Sequence, residues 1–266
     1  MFSGQKAAFM PYVCCGDPSA EFTLKLVEAL VSNGADAIEL GIPFSDPIAD
    51  GKTIQGASTR SLENGMTPGK ALEVIRKLRE KGIEIPIVVM TYYNIVYARG
   101  IGNFLKSAKE AGADGLIVPD APLEESEGLR KNCESNGLDL VYLVTPNCPD
   151  ERLKLIAEKS KGFLYAVSVL GITGARSEVS QDALDLIKRG KTATELPLVI
   201  GFGVSTPEHA EQYAKAGARG VIVGSHLVNI YSKYLEGDKL DEEKALQEAS
   251  EFTKRMKEAL QRAAPE

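Results

Sequence analysis

Short apolar runs alternate with amphipathic stretches from one end of the chain to the other. Eight runs stand out: 9–14 (FMPYVC), 36–41 (DAIELG), 85–91 (IPIVVMT), 114–118 (DGLIV), 139–144 (DLVYLV), 163–168 (FLYAVS), 197–201 (PLVIG) and 219–223 (RGVIV). Most are continuous hydrophobics, the pattern of parallel strands buried on both faces. Between them, apolar positions recur at helical spacing. Asp17-Pro18-Ser19 opens a helix over 19–33, Thr67-Pro68-Gly69 one over 70–81, and Thr206-Pro207-Glu208 one ending at Gly217. A charged amphipathic stretch, 241–262, closes the chain and is expected on the outside of the fold.

Residues 34–38, 112–116 and 217–221 read GADAI, GADGL and GARGV. Each places Gly after a helix and a strand after the Gly, which is a left-handed helix stop followed by strand entry. A Rossmann-type sheet would use the same turn, so the repeat argues for α/β architecture without deciding closure. Eight strands in 266 residues, against roughly 250 for one barrel, point to an α/β fold of the (β/α)8 TIM-barrel type. Residues 1–266 are expected to form a single domain.

Composition removes several function classes. The chain is 44% hydrophobic and 26% charged, with a net charge of −6 and no basic stretch, so no nucleic-acid footprint is visible. No apolar run approaches the ~18 residues of a membrane span. Cys14, Cys15, Cys133 and Cys148 fit neither a zinc pattern nor a small disulfide scaffold. With no signal-peptide pattern, free thiols in a cytoplasmic protein are expected.

In a barrel, chemistry sits at the C-terminal ends of the strands. Polar residues concentrate there in 39–51, ELGIPFSDPIADG. Glu39 interrupts an apolar strand, and an ionised carboxylate buried there costs several kcal/mol unless paired or neutralised. Asp50, on the loop that follows, is the candidate partner; two carboxylates in different environments can divide acid and base work. Glycines mark three later strand ends: LGITGAR (170–176), GFGVS (201–205) and VGSH (223–226). Gly203, Gly224 and Ser225 fall after strands seven and eight, where barrels commonly cradle phosphate at a short helix N-terminus. The 170–180 stretch, with Gly171, Thr173, Gly174 and Arg176, has the makeup of a lid or of an ordinary surface loop. Tyr12, Tyr92, Tyr93, Tyr165 and Phe202 cluster at the same mouth, fit to line a site for a flat apolar ligand. Asn94 and Asp120 read as supporting or turn residues.

Absent residues narrow the chemistry further. No strand run contains the lysine that a Schiff-base aldolase needs. Only two histidines exist, so no histidine metal cluster can form, and no metal site is expected. His209 should be exposed on a helix; His226 either touches ligand or simply starts a helix. Acid–base chemistry on a phosphorylated, partly aromatic substrate is what remains.

The run ELGIPFSDPIADGKTIQGAS resembles the signature of the tryptophan synthase alpha-subunit family, E-L-G-x-P-F-S-D-P-x-A-D-G-x-x-I-Q. PYVCCGDP, MTYYNIVYARG, DGLIVPDAPLEES, YAVSVLGITGAR, GFGVS and VGSHLV are similar to other segments of that family, and the likeness spans roughly residues 9–230. The resemblance implies a lyase of tryptophan biosynthesis that splits indole-3-glycerol phosphate into indole and glyceraldehyde 3-phosphate. It implies Glu39 as the general acid–base and Asp50 as the carboxylate that stabilises the indole N–H. It implies phosphate contacts at Gly174, Gly203, Gly224 and Ser225, and an indole pocket or lid of Tyr12, Tyr92, Ile117, Tyr165, Thr173 and Phe202. It further implies a beta-subunit partner in an alpha2beta2 assembly, met through Pro43 and Asp46. No cofactor is implied in this subunit, pyridoxal phosphate belonging to the partner. The chain departs from the pattern at Cys14-Cys15, where Thr or Ala and a small or aliphatic residue are commoner, and at His226, where a small residue is usual.

Two other readings compete. A phosphoribosyl isomerase-type barrel would carry Cys or Asp at the end of strand one, where Cys14 lies, but the 39–56 run argues against it. A regulatory subunit with little activity is opposed by the presence of both Glu39 and Asp50.

Overall fold

The apolar runs become strands β1 (Ala8–Cys14), β2 (Ile38–Gly41), β3 (Ile87–Met90), β4 (Gly115–Ile117), β5 (Asp139–Val141), β6 (Leu143–Val144), β7 (Leu164–Val167), β8 (Leu198–Gly201) and β9 (Gly220–Val223). They are seen in a computed structural model that describes residues 6–167, 179–237 and 239–263. All nine pair in parallel, in the order β5-β4-β3-β2-β1-β9-β8-β7-β6.

The expected fifth strand, 139–144, is two strands because it breaks at Tyr142. Its two pieces stand at opposite ends of the strand order, so the edges of the sheet are joined by the chain itself. At the break, the Tyr142 N–H leaves the ladder and donates to Ser160 Oγ at 3.1 Å. Its carbonyl still accepts from the Tyr165 N–H at 3.0 Å. The sheet is thereby curled into a nearly closed TIM barrel.

Helices alternate with the strands, and their ends follow local chemistry. Ser19 caps Ala20–Ser32 by accepting from the Phe22 N–H at 3.0 Å. Thr67 and Thr206 cap Pro68–Glu80 and Pro207–Ala216, each with Pro at the start, and Asp241 caps Glu242–Arg262. The Gly-Ala repeats behave alike: Gly34, Gly112 and Gly217 have φ of 105°, 102° and 107°. The N–H of the next residue reaches back into the helix, Ala35 to Leu30 at 3.1 Å, Ala113 to Ala108 at 3.0 Å and Ala218 to Tyr213 at 3.0 Å. In two repeats the following Asp then pins the foot of a neighbouring strand: Asp36 accepts from the Phe9 N–H at 2.7 Å and Asp114 from the Ile87 N–H at 2.8 Å.

The final helix lies on the outside as expected, with Phe252 edge-on to Phe9 at 6.3 Å and Lys257 paired to Asp36 at 2.5 Å. His209 corrects an expectation. It is only 5% exposed, because it falls on the face of Pro207–Ala216 that packs inward with Ala210, Tyr213 and Ala214. Every residue of β1 to β4, β8 and β9 is buried. Glu39, in the middle of β2, is therefore surrounded by apolar strand.

Candidate active site

Glu39 pairs with Tyr12 across β1 and with Val88 across β3. Its side chain is 2% exposed and its Oε2 has no hydrogen-bond partner. Burial, with a smaller contribution from the negative charge of Asp50, pushes the Glu39 carboxyl from 4.5 up to about 8. A buried acid left without a donor is costly to the fold and is available to a ligand.

The loop after β2 brings Asp50 back to the same place. Tyr92, at the end of β3, holds it: the Tyr92 hydroxyl accepts from the Ala49 N–H at 3.2 Å and is hydrogen-bonded to the Asp50 carboxylate. Phe44 stacks on the Tyr92 ring at 5.2 Å, and Gln55 Nε2 donates to the Asp50 carbonyl at 2.8 Å. Burial raises the Asp50 carboxyl to about 6, with the Tyr92 hydrogen bond drawing it back down. Two carboxyls in one cavity are thus set apart, Glu39 above neutrality and Asp50 below it. Around neutral pH one is an acid and the other a carboxylate, an arrangement suited to paired proton transfer and charge stabilisation.

The opposite wall comes from the ends of β8 and β9. Phe202 and Gly203 both have positive φ, 63° and 80°. A non-glycine residue held there is strained, and strain of this kind concentrates at ligand sites. Beyond β9, Gly224 precedes helix Ser225–Ser232 and offers no side-chain cap, so the first N–H groups of the helix are free to meet an anion. Glu39, Asp50, Gly203, Gly224 and Ser225 line one cavity, together with Tyr12, Tyr165 and Phe202. Among the described residues no Lys or Arg lines it, so a bound anion would rely on backbone N–H groups and the helix dipole.

Two tyrosines wall the cavity through the same device. A Cβ at Gly41 would sit 2.2 Å from the Tyr12 hydroxyl oxygen, and one at Gly201 would sit 2.2 Å from that of Tyr165. The phenol end of each ring lies against a glycine that ends the adjacent strand. The Tyr165 ring meets Phe202 edge-on at 5.8 Å.

A family model described as tryptophan synthase alpha chain matches residues 2–261. The chain is 49% identical over 243 residues to the tryptophan synthase alpha chain of Methanocaldococcus jannaschii, covering 91% of this chain and 85% of the relative. It is 43% identical over 255 residues to that of Arabidopsis thaliana, covering 96% and 90%. Among solved structures, the tryptophan synthase α2β2 complex of Pyrococcus furiosus aligns with a TM-score of 0.87 and 41% identity, over 96% of this chain and 99% of that one. Tryptophan synthase subunit alpha from Legionella pneumophila aligns with a TM-score of 0.87 and 36% identity, over 97% and 94%. The chain belongs to the tryptophan synthase alpha chain family. It is accordingly a lyase of tryptophan biosynthesis, cleaving indole-3-glycerol phosphate to indole and glyceraldehyde 3-phosphate.

Against the alpha-chain expectations, the structure brings eight residues into one cavity: Glu39, Asp50, Tyr12, Tyr165, Phe202, Gly203, Gly224 and Ser225. Tyr92 stands behind Asp50 rather than on the cavity wall. Ile117, on β4, is buried against its pairing neighbour Met90, and it is Met90 that reaches the cavity. Thr173 and Gly174 lie outside the described residues, as do Gly171 and Arg176. On the loop, Asp46 is exposed but Pro43 is buried in this chain. Sequence reasoning missed Thr53, Ile54, Met90, Val204, Ser205, Ile222 and Asn229 as lining residues. Thr53 and Ile54 were within reach, being in the first turn after Asp50-Gly51, and Asn229 is one turn beyond Ser225. His226 is in the first turn of a helix, as one of its two readings has it; it also lines the cavity, half-buried, its ring 4.9 Å from Phe252.

Proposed function

We propose that Glu39 carries the proton in the cleavage and that Asp50 steadies the charge it creates, with the substrate held by its phosphate at Gly203, Gly224 and Ser225. Glu39, held protonated by burial, gives its proton to indole C3. The ring becomes an indolenine whose N–H is positive, and the Asp50 carboxylate accepts from that N–H in a site shielded from water. As the bond from C3 to the glycerol chain breaks, the hydroxyl on the departing carbon loses its proton to Glu39 and becomes the aldehyde. Indole and glyceraldehyde 3-phosphate leave, and Glu39 is protonated again. Tyr12, Tyr165 and Phe202 enclose the indole, and Tyr92 serves the pocket by orienting Asp50. Thr173 and Gly174 would close the site over the phosphate, as the resemblance implies.

The observation that carries these roles is the shared cavity: two buried carboxyls with raised and unequal affinity for protons, opposite an uncapped helix N-terminus. Acid–base chemistry of this kind needs no cofactor in this subunit, and pyridoxal phosphate belongs to the beta partner. We place that partner, in an alpha2beta2 assembly within the cytoplasm, on the face formed by the 43–48 loop and helix Tyr93–Ala98. Ile48, on the loop with Asp46, and Tyr97, on the helix, are 74% and 67% exposed; exposed apolar groups of this size commonly mark contact surfaces. The 266 residues act as one catalytic domain.

The test is Glu39→Gln. Turnover should fall by roughly 10²–10⁴-fold while binding of a phosphate ligand is nearly unchanged. Full turnover in that variant would contradict the assignment. Gly203→Asp should raise KM through steric and like-charge conflict with the phosphate, and an unchanged KM would place the phosphate elsewhere.

A further inference from the structure

Just after β1, and outside the cavity lining, the Asp17 carboxylate is buried and takes three donors. Arg60 Nε and Nη2 each donate at 2.8 Å, and the Tyr231 hydroxyl donates at 2.6 Å. Arg60 Nη2 also donates to Ser232 Oγ at 3.1 Å. These four residues come from three segments that all border the site. Asp17 follows β1, which bears Tyr12. Arg60 is on helix Lys52–Glu63, which begins directly after Asp50 and Gly51. Tyr231 and Ser232 are at the far end of helix Ser225–Ser232, whose first turn faces the cavity.

Asp17 is fully buried while the Arg60 side chain is 32% exposed, so desolvation of the carboxylate offsets much of the attraction and the pair is a poor device for stability alone. A forked guanidinium–carboxylate contact does fix distance and direction. Here the fork sits about 12 Å along one helix from its start, at a rise of about 1.5 Å per residue. Tilting either helix at this point would swing Asp50 or the anion seat at its other end.

We propose that Arg60 is a positioning residue for the cleavage: through Asp17, Tyr231 and Ser232 it locks the helix that begins at Asp50 to the helix that seats the phosphate. A substrate anchored by its phosphate then meets Asp50 and Glu39 at a set distance. The proposal rests on the reading of Gly224 and Ser225 as the phosphate seat.

The test uses the full chain with Arg60→Met and Arg60→Lys, and separately the Tyr231→Phe/Ser232→Ala double variant, which removes two links without stranding a buried charge. Indole release gives kcat, and glycerol 3-phosphate serves as a phosphate-only probe for Kd, both measured well below the unfolding transition. Arg60→Met is expected to lose about 10²-fold in kcat, the scale of a misplacement of about 1 Å, while Kd for the probe moves by less than about threefold. Arg60→Lys keeps the charge without the fork and should regain only part of the loss. If Arg60→Met does not fold, the double variant carries the test, with an expected loss of about tenfold in kcat at constant Kd. Folded variants of lower stability that keep kcat within about threefold of the parent would overturn the proposal and leave the phosphate seat standing. A parent chain whose probe does not compete with substrate would overturn the seat, and the proposal with it.

Discussion

Glu39 and Asp50 are both acids raised by burial; Glu39 is the more deeply buried and also feels the Asp50 charge, whereas Asp50 has a hydrogen bond that draws it back. Asp50 has Tyr92; Glu39 Oε2 has no partner. The rate should therefore follow a bell in pH, with kcat/KM rising as Asp50 ionises near about 6 and falling as Glu39 loses its proton near about 8. A pH–rate profile with limbs in these places is expected to lose its alkaline limb in Glu39→Gln, on whatever residual rate remains. Stability should respond with a definite sign. The folded state holds the Glu39 proton more tightly than the unfolded chain, so the stability from that proton is complete below the ordinary value of 4.5 and is lost as pH rises through about 8. Glu39→Gln should thus become more stable relative to the parent between about pH 5 and about pH 9, as read from urea midpoints. A constant difference across that range would mean that Glu39 is not held protonated. At this scale the sequence was informative where a residue violated its setting: a carboxylate in the middle of a buried strand can be recognised from the letters alone. Met90 and Ile222 gave no such signal, since an apolar side chain pointing into the barrel and one pointing out look alike.

At the scale of elements, the two tyrosine–glycine pairs explain why β2 and β8 both end in glycine. Gly41→Ala or Gly201→Ala would drive a methyl group into the Tyr12 or Tyr165 ring. Each should cost about 1–3 kcal/mol by overpacking and should raise KM as the displaced ring enters the cavity. Combining Gly41→Ala with Tyr12→Leu should recover part of that stability, a non-additive result that urea unfolding of the four chains of the cycle would reveal. The helices were legible because their ends carry caps with a mechanism: Ser19, Thr67, Thr206 and Asp241 all accept from backbone N–H groups. The break at Tyr142 was not legible. Nothing in DLVYLV distinguishes a continuous strand from one whose middle N–H is taken by Ser160, a residue that reaches it only in the folded barrel. The inward turn of His209 was missed for a similar reason. Its burial is decided by which face of Pro207–Ala216 meets the neighbouring helix, not by its polarity.

Across the whole molecule, one strand order puts the end of β2 and the ends of β8 and β9 around the same opening, although more than 150 residues separate Glu39 from Gly203 along the chain. Alternation of strand and helix made the α/β class plain, and the count of strands pointed to a barrel; closure itself needed the pairing of β6 with β7. The exposed Ile48 and Tyr97 carry the expectation for the assembly. Ile48→Asp should weaken association with the beta subunit, read as a higher Kd in a binding titration, while leaving the rate of the isolated chain close to the parent. The central claim is that the two acids and the phosphate seat serve one bound molecule. A crystal structure of the Glu39→Gln chain with indole-3-glycerol phosphate tests it most directly. Phosphate oxygens are expected at about 3 Å from the N–H groups of Gly203, Gly224 or Ser225, with the indole N–H donating to Asp50. Phosphate bound away from those strand ends, or an indole ring remote from Asp50, would contradict it.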